Sequence, residues 1–235
     1  MEAASLFIAS TNKKKLAELV QLFAGTGVRI VSSADFPELP EVDETGSTFA
    51  ENAQLKAVSA SVYTGLLSLA DDSGLEVDAL AGAPGVRSAR FAATGGGKAS
   101  DEANRTKLLK ELANVSVTNR TARFRCAIAV ALRGKVVLQS SGVVEGMIIE
   151  RERGTGGFGY DSLFVPVGFV KTFAELSPAE KEGQEKEGQS PFHNGDSPPS
   201  ITGTVPLSHR ARALASVKPQ LLELMKKENG DCPSF

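Results

Sequence analysis

The chain has 235 residues, near the upper end of a single domain, and its 41% hydrophobic and 23% charged residues are those of an ordinary globular protein. This composition excludes disorder, collagen and a coiled coil as descriptions of the whole. A formal charge of −2 argues against duplex DNA or another polyanion as the main partner, while leaving room for a local basic pocket.

The N-terminal "MEAASLFIAS" lacks the basic start and longer apolar core of a signal peptide, and no apolar stretch approaches the roughly 20 residues that span a bilayer, so a cytoplasmic location is expected. "LFIAS" (6–10) is a short apolar strand that runs into "TNKKKLAELVQLF", where Leu16, Leu19, Val20 and Phe23 recur at helical spacing. "RIVSS" (29–33) is a second strand, followed by a Pro- and acid-rich loop over 34–47. Thr48 and Glu51 form a capping box ahead of a helix over 49–63, and "LLSLA" (66–70) is a buried strand. A helix is expected near 100–113. "TARFRCAIAVAL" and "KVVLQSSGVVEGMIIE" are two long strands meeting at "RGK", a hairpin that makes the sheet mixed. "DSLFVP" (161–166) is another strand, and a final helix over 208–228 must tolerate Pro219. Strands alternating with helices predict an α/β fold with a mixed, twisted central sheet and flanking helices, and the chain length also fits two lobes around a cleft.

Residues 182–207 break the pattern. With four Gly and four Pro they read as a flexible loop inserted into a single domain over 1–235, and the pentapeptide "EKEGQ" occurs twice in tandem at 180–184 and 185–189. Cys126 and Cys232 are far apart and outside any CxxC spacing. Cys126 sits in an apolar strand, which points to a buried, reduced thiol.

Chemistry concentrates in two places. "LADDSG" carries Asp71 and Asp72 at the end of a buried strand, where α/β proteins bind ligands. Adjacent strand residues face opposite ways, so one carboxylate is expected to face the ligand and the other to orient backbone or neighbours. Two like charges there need an offset, and Mg²⁺ with its preference for oxygen ligands is the simplest; a solvated turn is the alternative. "ASTNKKK" places Ser10, Thr11 and Asn12 between a strand and a helix start, with Lys13, Lys14 and Lys15 adding positive charge, a corner suited to phosphate; a plain Asn cap with solvated lysines is the alternative. Two better-known phosphate motifs fail. "GTGGFG" (154–159) precedes a strand rather than a helix, and "TGGGKAS" (94–100) lacks the first glycine and the final Ser/Thr of a P-loop.

The motifs "STNKKKLAEL", "TFAENAQLKA", "ADDSGLEVDALAGAPGVRSARF", "GTGGFGYDSLF", "TFAEL" and "SHRARAL", in that order, resemble the inosine triphosphate pyrophosphatase family, which acts on ITP, dITP and XTP, over about residues 6–225 apart from 182–207. The resemblance implies Mg²⁺-dependent hydrolysis of non-standard purine nucleoside triphosphates to the monophosphate and pyrophosphate, cleansing the nucleotide pool. It implies that Thr11, Asn12 and Lys15 bind triphosphate, with Lys13 and Lys14 at variable positions. By the same resemblance, Asp72 binds metal and acts as catalytic base, Ser73 contacts substrate, and the Asp43/Glu44 pair supplies a second metal ligand. Base recognition is implied for Phe158, Gly159, Tyr160 and Asp161 and for His209 and Arg210 after Ser208, and a homodimer is implied as the assembly. No nucleic acid or membrane partner is expected.

The sequence departs from the family where a lysine after "AEL" precedes S-H-R by a few residues. Here Lys181 has that place, Ser208 follows 27 positions later, and the repeat offers Lys186 as well. The slow growth of loop-closure cost with length allows the two ends to meet with the insertion looped out. A pyrophosphatase for modified pyrimidine triphosphates and a non-catalytic nucleotide-binding protein are the competing readings.

Overall fold

The protein is described by a computed structural model over residues 4–95, 97–181 and 207–230. Cys232, Lys186 and positions 182–206 of the expected insertion lie outside the described residues.

Strand β1 (Ser5–Ile8) pairs in parallel with β2 (Arg29–Ser32) and with β3 (Leu67–Val77), Leu6 lying opposite Ile30 on one side and Leu67 on the other. Its Leu6, Phe7 and Ile8 are all buried, the unbroken apolar run expected of a strand covered on both faces. Between β1 and β2, α1 (Lys13–Leu22) begins at Asn12, whose side-chain oxygen accepts the N–H groups of Lys14 and Lys15 at 3.0 and 3.3 Å. Helix α2 (Phe49–Thr64) starts at the Thr48–Glu51 capping box and stops at Gly65, which takes the left-handed conformation with φ of 69°.

Two strand expectations change. β3 does not end at the aspartates but runs on to Val77, 11 residues in all, so Asp71 and Asp72 sit in its interior, where charges from other elements offset them. In "DSLFVP" only β6 (Phe164–Pro166) is strand, because Asp161 and Leu163 donate their N–H groups to the carbonyls of Phe158 and Tyr160 and so form turns. β4 (Thr121–Leu132) and β5 (Lys135–Ile148) meet at Arg133 and Gly134, both at positive φ, as the "RGK" signal requires of a tight hairpin. β6 pairs antiparallel with β5. The sheet order β2-β1-β3-β4-β5-β6 is therefore mixed. Helices α3 (Asp101–Glu111), α4 (Pro178–Lys181) and α5 (His209–Gly230, containing Pro219) are the remaining α-helices among the described residues.

The chain divides into two compact units, one built from residues up to Asp72, Cys126–Gly142 and Ala213 onward, the other from Ser73–Arg125 and Val143–Arg212. In the first unit, Leu6, Ile8, Leu67 and Leu69 pack with Leu19 of α1 and Leu214 and Leu221 of α5. Phe7 and Val31 instead pack with Ala60 of α2, so the alternation of strand side chains gives α1 and α2 opposite faces of the sheet. Cys126 is a buried thiol in the first of these clusters, as expected. The second unit centres on Leu75, Val77, Leu108, Phe124, Phe164 and Phe173. Each fully buried side chain of this kind contributes roughly 1.5–3 kcal/mol by leaving water. No helix among the described residues is long and apolar enough to cross a membrane.

Candidate active site

In the first unit the alternation of β3 decides where each carboxylate goes. Asp71 follows Leu67 and Leu69 onto the α1 face, where its Oδ2 lies 3.0 Å from Nζ of Lys15. Asp72 faces α2, where Nζ of Lys56 lies 3.1 Å from its Oδ1 and the Asn52 amide donates to its Oδ2 at 3.3 Å. Asn52 and Lys56 are one helical turn apart, which puts them on the same side of α2. Both carboxylates are nearly buried, at 2% and 7% exposure.

Lys56 also reaches Glu44, at 3.1 Å from Oε1, so a single ammonium sits between two carboxylates from different segments. Burial works to lower the Lys56 pKa, but the charges of Asp72, Asp71 and Glu44 overcome it and hold the ammonium above its ordinary value. Burial is also the largest influence on Asp72 and pushes its carboxyl up, against the pull of Lys56 and then Lys15. Asp43 is exposed. The structure thus brings Glu44, rather than Asp43, to Asp72. Ser10 and Lys15 are partly buried beside β1, while Thr11, Asn12, Lys13 and Lys14 are exposed at the start of α1.

The second unit holds the other expected residues. Ser73, the next residue of β3, accepts from the Arg210 guanidinium at 3.1 Å, and Arg210 is only 1% exposed. His209, at the start of α5, stacks on Phe124 with ring centroids 5.0 Å apart and planes 11° from parallel. Phe124 in turn stacks on Phe173 at 5.6 Å. Lys181 places Nζ 5.8 Å from the centroid of the Phe173 ring. The Lys181 carbonyl accepts the N–H of Leu207 at 2.8 Å, so the two ends of the insertion meet and Ser208 is brought back to the lysine despite the sequence gap. Leu207 itself is buried in the core, which shortens the expected insertion by one residue.

In the loop over 154–161 the two aromatic rings differ. Tyr160 is buried at 3% exposure and its hydroxyl donates to the Ser88 carbonyl at 2.9 Å; burial, then the Asp101 charge, pushes the phenol pKa up. Phe158 keeps exposed surface. The Asp161 carboxylate accepts the Phe158 N–H at 3.1 Å, and Gly157, at φ of 74°, leaves room for it: a Cβ there would strike that carboxylate. Gly154 and Gly156 pass so close to the Ala174 backbone that a Cβ on either would come within 2.8 Å of its carbonyl oxygen. The "GTGGFG" glycines therefore fit a folded loop against residues 174–175, not a dinucleotide.

Sequence reasoning missed Asn52, Lys56 and Phe124. A signal existed for the first two, since an Asn and a Lys spaced four apart in a helix of small buried residues put polar groups on an inward face. Phe124 gave none, being one apolar residue of a long strand.

A sequence model of the Ham1 family matches residues 6–191. The dITP/XTP pyrophosphatase of Desulforamulus reducens is 48% identical over 185 residues, covering 79% of this chain and 90% of that protein. That of Geobacillus kaustophilus is 44% identical over 220 residues, covering 94% and 95%. Among solved structures, a Ham1 protein of Coxiella burnetii superposes with a TM-score of 0.75 at 36% identity, covering 93% of this chain and 98% of that one. With the family match spanning most of the chain and such relatives aligned nearly end to end, this protein belongs to the Ham1 family.

Proposed function

We propose that this protein hydrolyses ITP, dITP and XTP to the nucleoside monophosphate and pyrophosphate, as a cytoplasmic homodimer of single-domain subunits. The observation that carries the reading is the buried Asp72 held between Asn52 and Lys56, with Glu44 on the same ammonium. Relatives named dITP/XTP pyrophosphatase support the substrate class.

Among the described residues no three His, Cys, Asp or Glu side chains gather as a metal cage. Mg²⁺ does not require one, because it binds through one or two carboxylates and completes its shell with water and substrate phosphate. Glu44 and Asp72 are oxygen donors that already converge on one cation, the Lys56 ammonium, so these residues fit the ion. When bound, Mg²⁺ would supply charge neutralisation for the phosphate oxygens.

The rest is work for this chain's side chains. A water attacks the α-phosphorus, forming a new P–O bond as the bond to the bridging oxygen breaks and pyrophosphate leaves in line. Asp72 orients that water and accepts its proton, and a carboxyl raised by burial is the better proton acceptor. Lys56, Lys15 and the N-terminus of α1 with Lys13 and Lys14 meet the phosphate charge. On the base, Phe158 offers a ring for stacking, worth roughly 1–3 kcal/mol in related systems. N–H groups of His209 and Arg210 donate to a 6-oxo group and oppose the 6-amino group of adenine, itself a donor.

The test is release of monophosphate and pyrophosphate from ITP, dITP, XTP, GTP and ATP, with Mg²⁺ and with chelator. Release from the first three that stops on chelation is expected; a folded protein inert towards all five refutes the proposal.

A further inference from the structure

We propose that Asp101 and Arg105 of α3 are positioning residues for base recognition, acting as a two-point clamp on the Phe158–Gly159 backbone. The proposal rests on the reading of Phe158 as the base-stacking ring. Asp101 and Arg105 are four residues apart and so share one side of the helix. The Gly159 N–H donates to Asp101 Oδ2 at 2.8 Å, and Arg105 Nη1 donates to the Gly159 carbonyl at 3.0 Å. Both ends of one residue's main chain are thus held by full charges, which makes each bond stronger than a neutral one.

Gly159 needs such holding. Its φ is 61°, a conformation glycine enters without preference, and a Cβ there would meet nothing within 4 Å, so packing alone does not fix it. Arg105 has a second arm, Nε lying 2.8 Å from Glu152 Oε2, and that same oxygen accepts the Ser162 hydroxyl at 2.9 Å. One guanidinium therefore ties the tip of the loop to its base. The helix is itself anchored, for Asn104 accepts the Ala92 N–H and Lys107 donates to the Phe91 carbonyl, each at 2.8 Å.

The clamp has a chemical consequence. The Phe158 N–H goes to the Asp161 carboxylate and its carbonyl accepts the Asp161 N–H, while both Gly159 groups go to α3. All four main-chain polar groups at the loop tip are engaged inside the protein. The tip presents a ring to the base with both of its backbone N–H groups already committed, leaving donation to the purine edge to side chains elsewhere.

Two sets of measurements test this. In ITP hydrolysis, Asp101→Ala and Arg105→Ala each raise KM about tenfold, the size of one hydrogen bond to a charged partner, with kcat within about twofold. Asp101→Asn, which keeps an acceptor, and Arg105→Lys, which keeps a donor, restore most of the loss. Unchanged KM in both alanine variants, or a fall in kcat alone, overturns the proposal. Independently, the chain has no tryptophan, so Phe158→Trp places a single fluorophore at the tip. Adding Asp101→Ala to that protein increases acrylamide quenching, and adding Asp101→Asn does not; equal quenching in all three overturns the clamp. Absence of ITP hydrolysis by the wild type would refute the proposed function, and the quenching comparison would still decide whether α3 holds the loop.

Discussion

Replacing Lys56 by methionine keeps an unbranched stem of similar length and removes the ammonium that sits 3.1 Å from both Glu44 and Asp72. At an effective dielectric of about 20, each contact is worth roughly 5 kcal/mol before desolvation is subtracted. What the variant loses is smaller. The Asp72 side chain is only 10% exposed, and stranding a buried charge by deleting its partner costs about 3–5 kcal/mol. Glu44, with 29% of its side chain exposed, adds about 1 kcal/mol or less. We expect a loss of about 3–6 kcal/mol in metal-free buffer, which lowers Tm by at least roughly 6 °C in a chain of this size. Scanning calorimetry with chelator and then with Mg²⁺ is the assay. The ion should raise Tm more in the variant than in the wild type, since it restores a cation beside carboxylates that lack one. A variant that melts with the wild type under chelation would show that Asp72 is not held as a charge by Lys56, and the derivation of the site would fail.

Asp72→Asn leaves the protein folded and lowers turnover of ITP by at least about a hundredfold, as loss of a positioned proton acceptor requires; near-normal kcat would remove Asp72 from its assigned role. Replacing residues 182–206 by a five-residue Gly-Ser linker preserves the fold and ITP turnover, because Lys181 and Leu207 already meet, and shortening the loop changes stability by only about 1 kcal/mol. Loss of activity with the fold intact would give those residues a direct role. Glu180 is held down at about 2, first by the Lys171 ammonium and then by the Ser177 N–H, from an ordinary 4.5. Because the folded pKa is the lower one, its stabilisation is complete above pH 4.5 and is lost as pH falls towards 2. Urea midpoints for Glu180→Gln should lie below the wild type at pH 7 and converge with it across that window.

Local signals located most elements. The Thr48–Glu51 box set the start of α2, Asn12 set that of α1, and "RGK" set the hairpin, because caps and turns are decided by residues a few positions apart. β3 escaped because "DDSG" has the chemistry of a turn. Its aspartates stay in the strand owing to Lys15 and Lys56, which lie 56 and 16 positions away in sequence. The site divides along the same line. Asp72, Lys15 and Glu44 could be picked out as charged residues in telling positions, whereas Lys56 is marked only by its four-residue spacing from Asn52 in a helix of small buried residues. Tyr160 and Phe158 are equivalent as letters in "GFGYD", and only the Ser88 carbonyl and the surrounding core distinguish the buried ring from the partly exposed one. The gap between Lys181 and Ser208 was legible as an insertion, but its closure depends on one backbone hydrogen bond that no local pattern encodes.

The aspartate doublet has a consequence for folding fidelity. Asp71 matches Lys15 on one face of β3 and Asp72 matches Lys56 on the other. If the strand slipped by one residue in either direction, one carboxylate would land on the wrong lysine, and the other lysine would face Ala70 or Ser73. Leu67 and Leu69 would change faces at the same time, so the misaligned sheet would combine a partly buried lysine that has lost its aspartate with a disrupted core. Two adjacent charges that repel each other thus proofread the alignment of the strand that carries them.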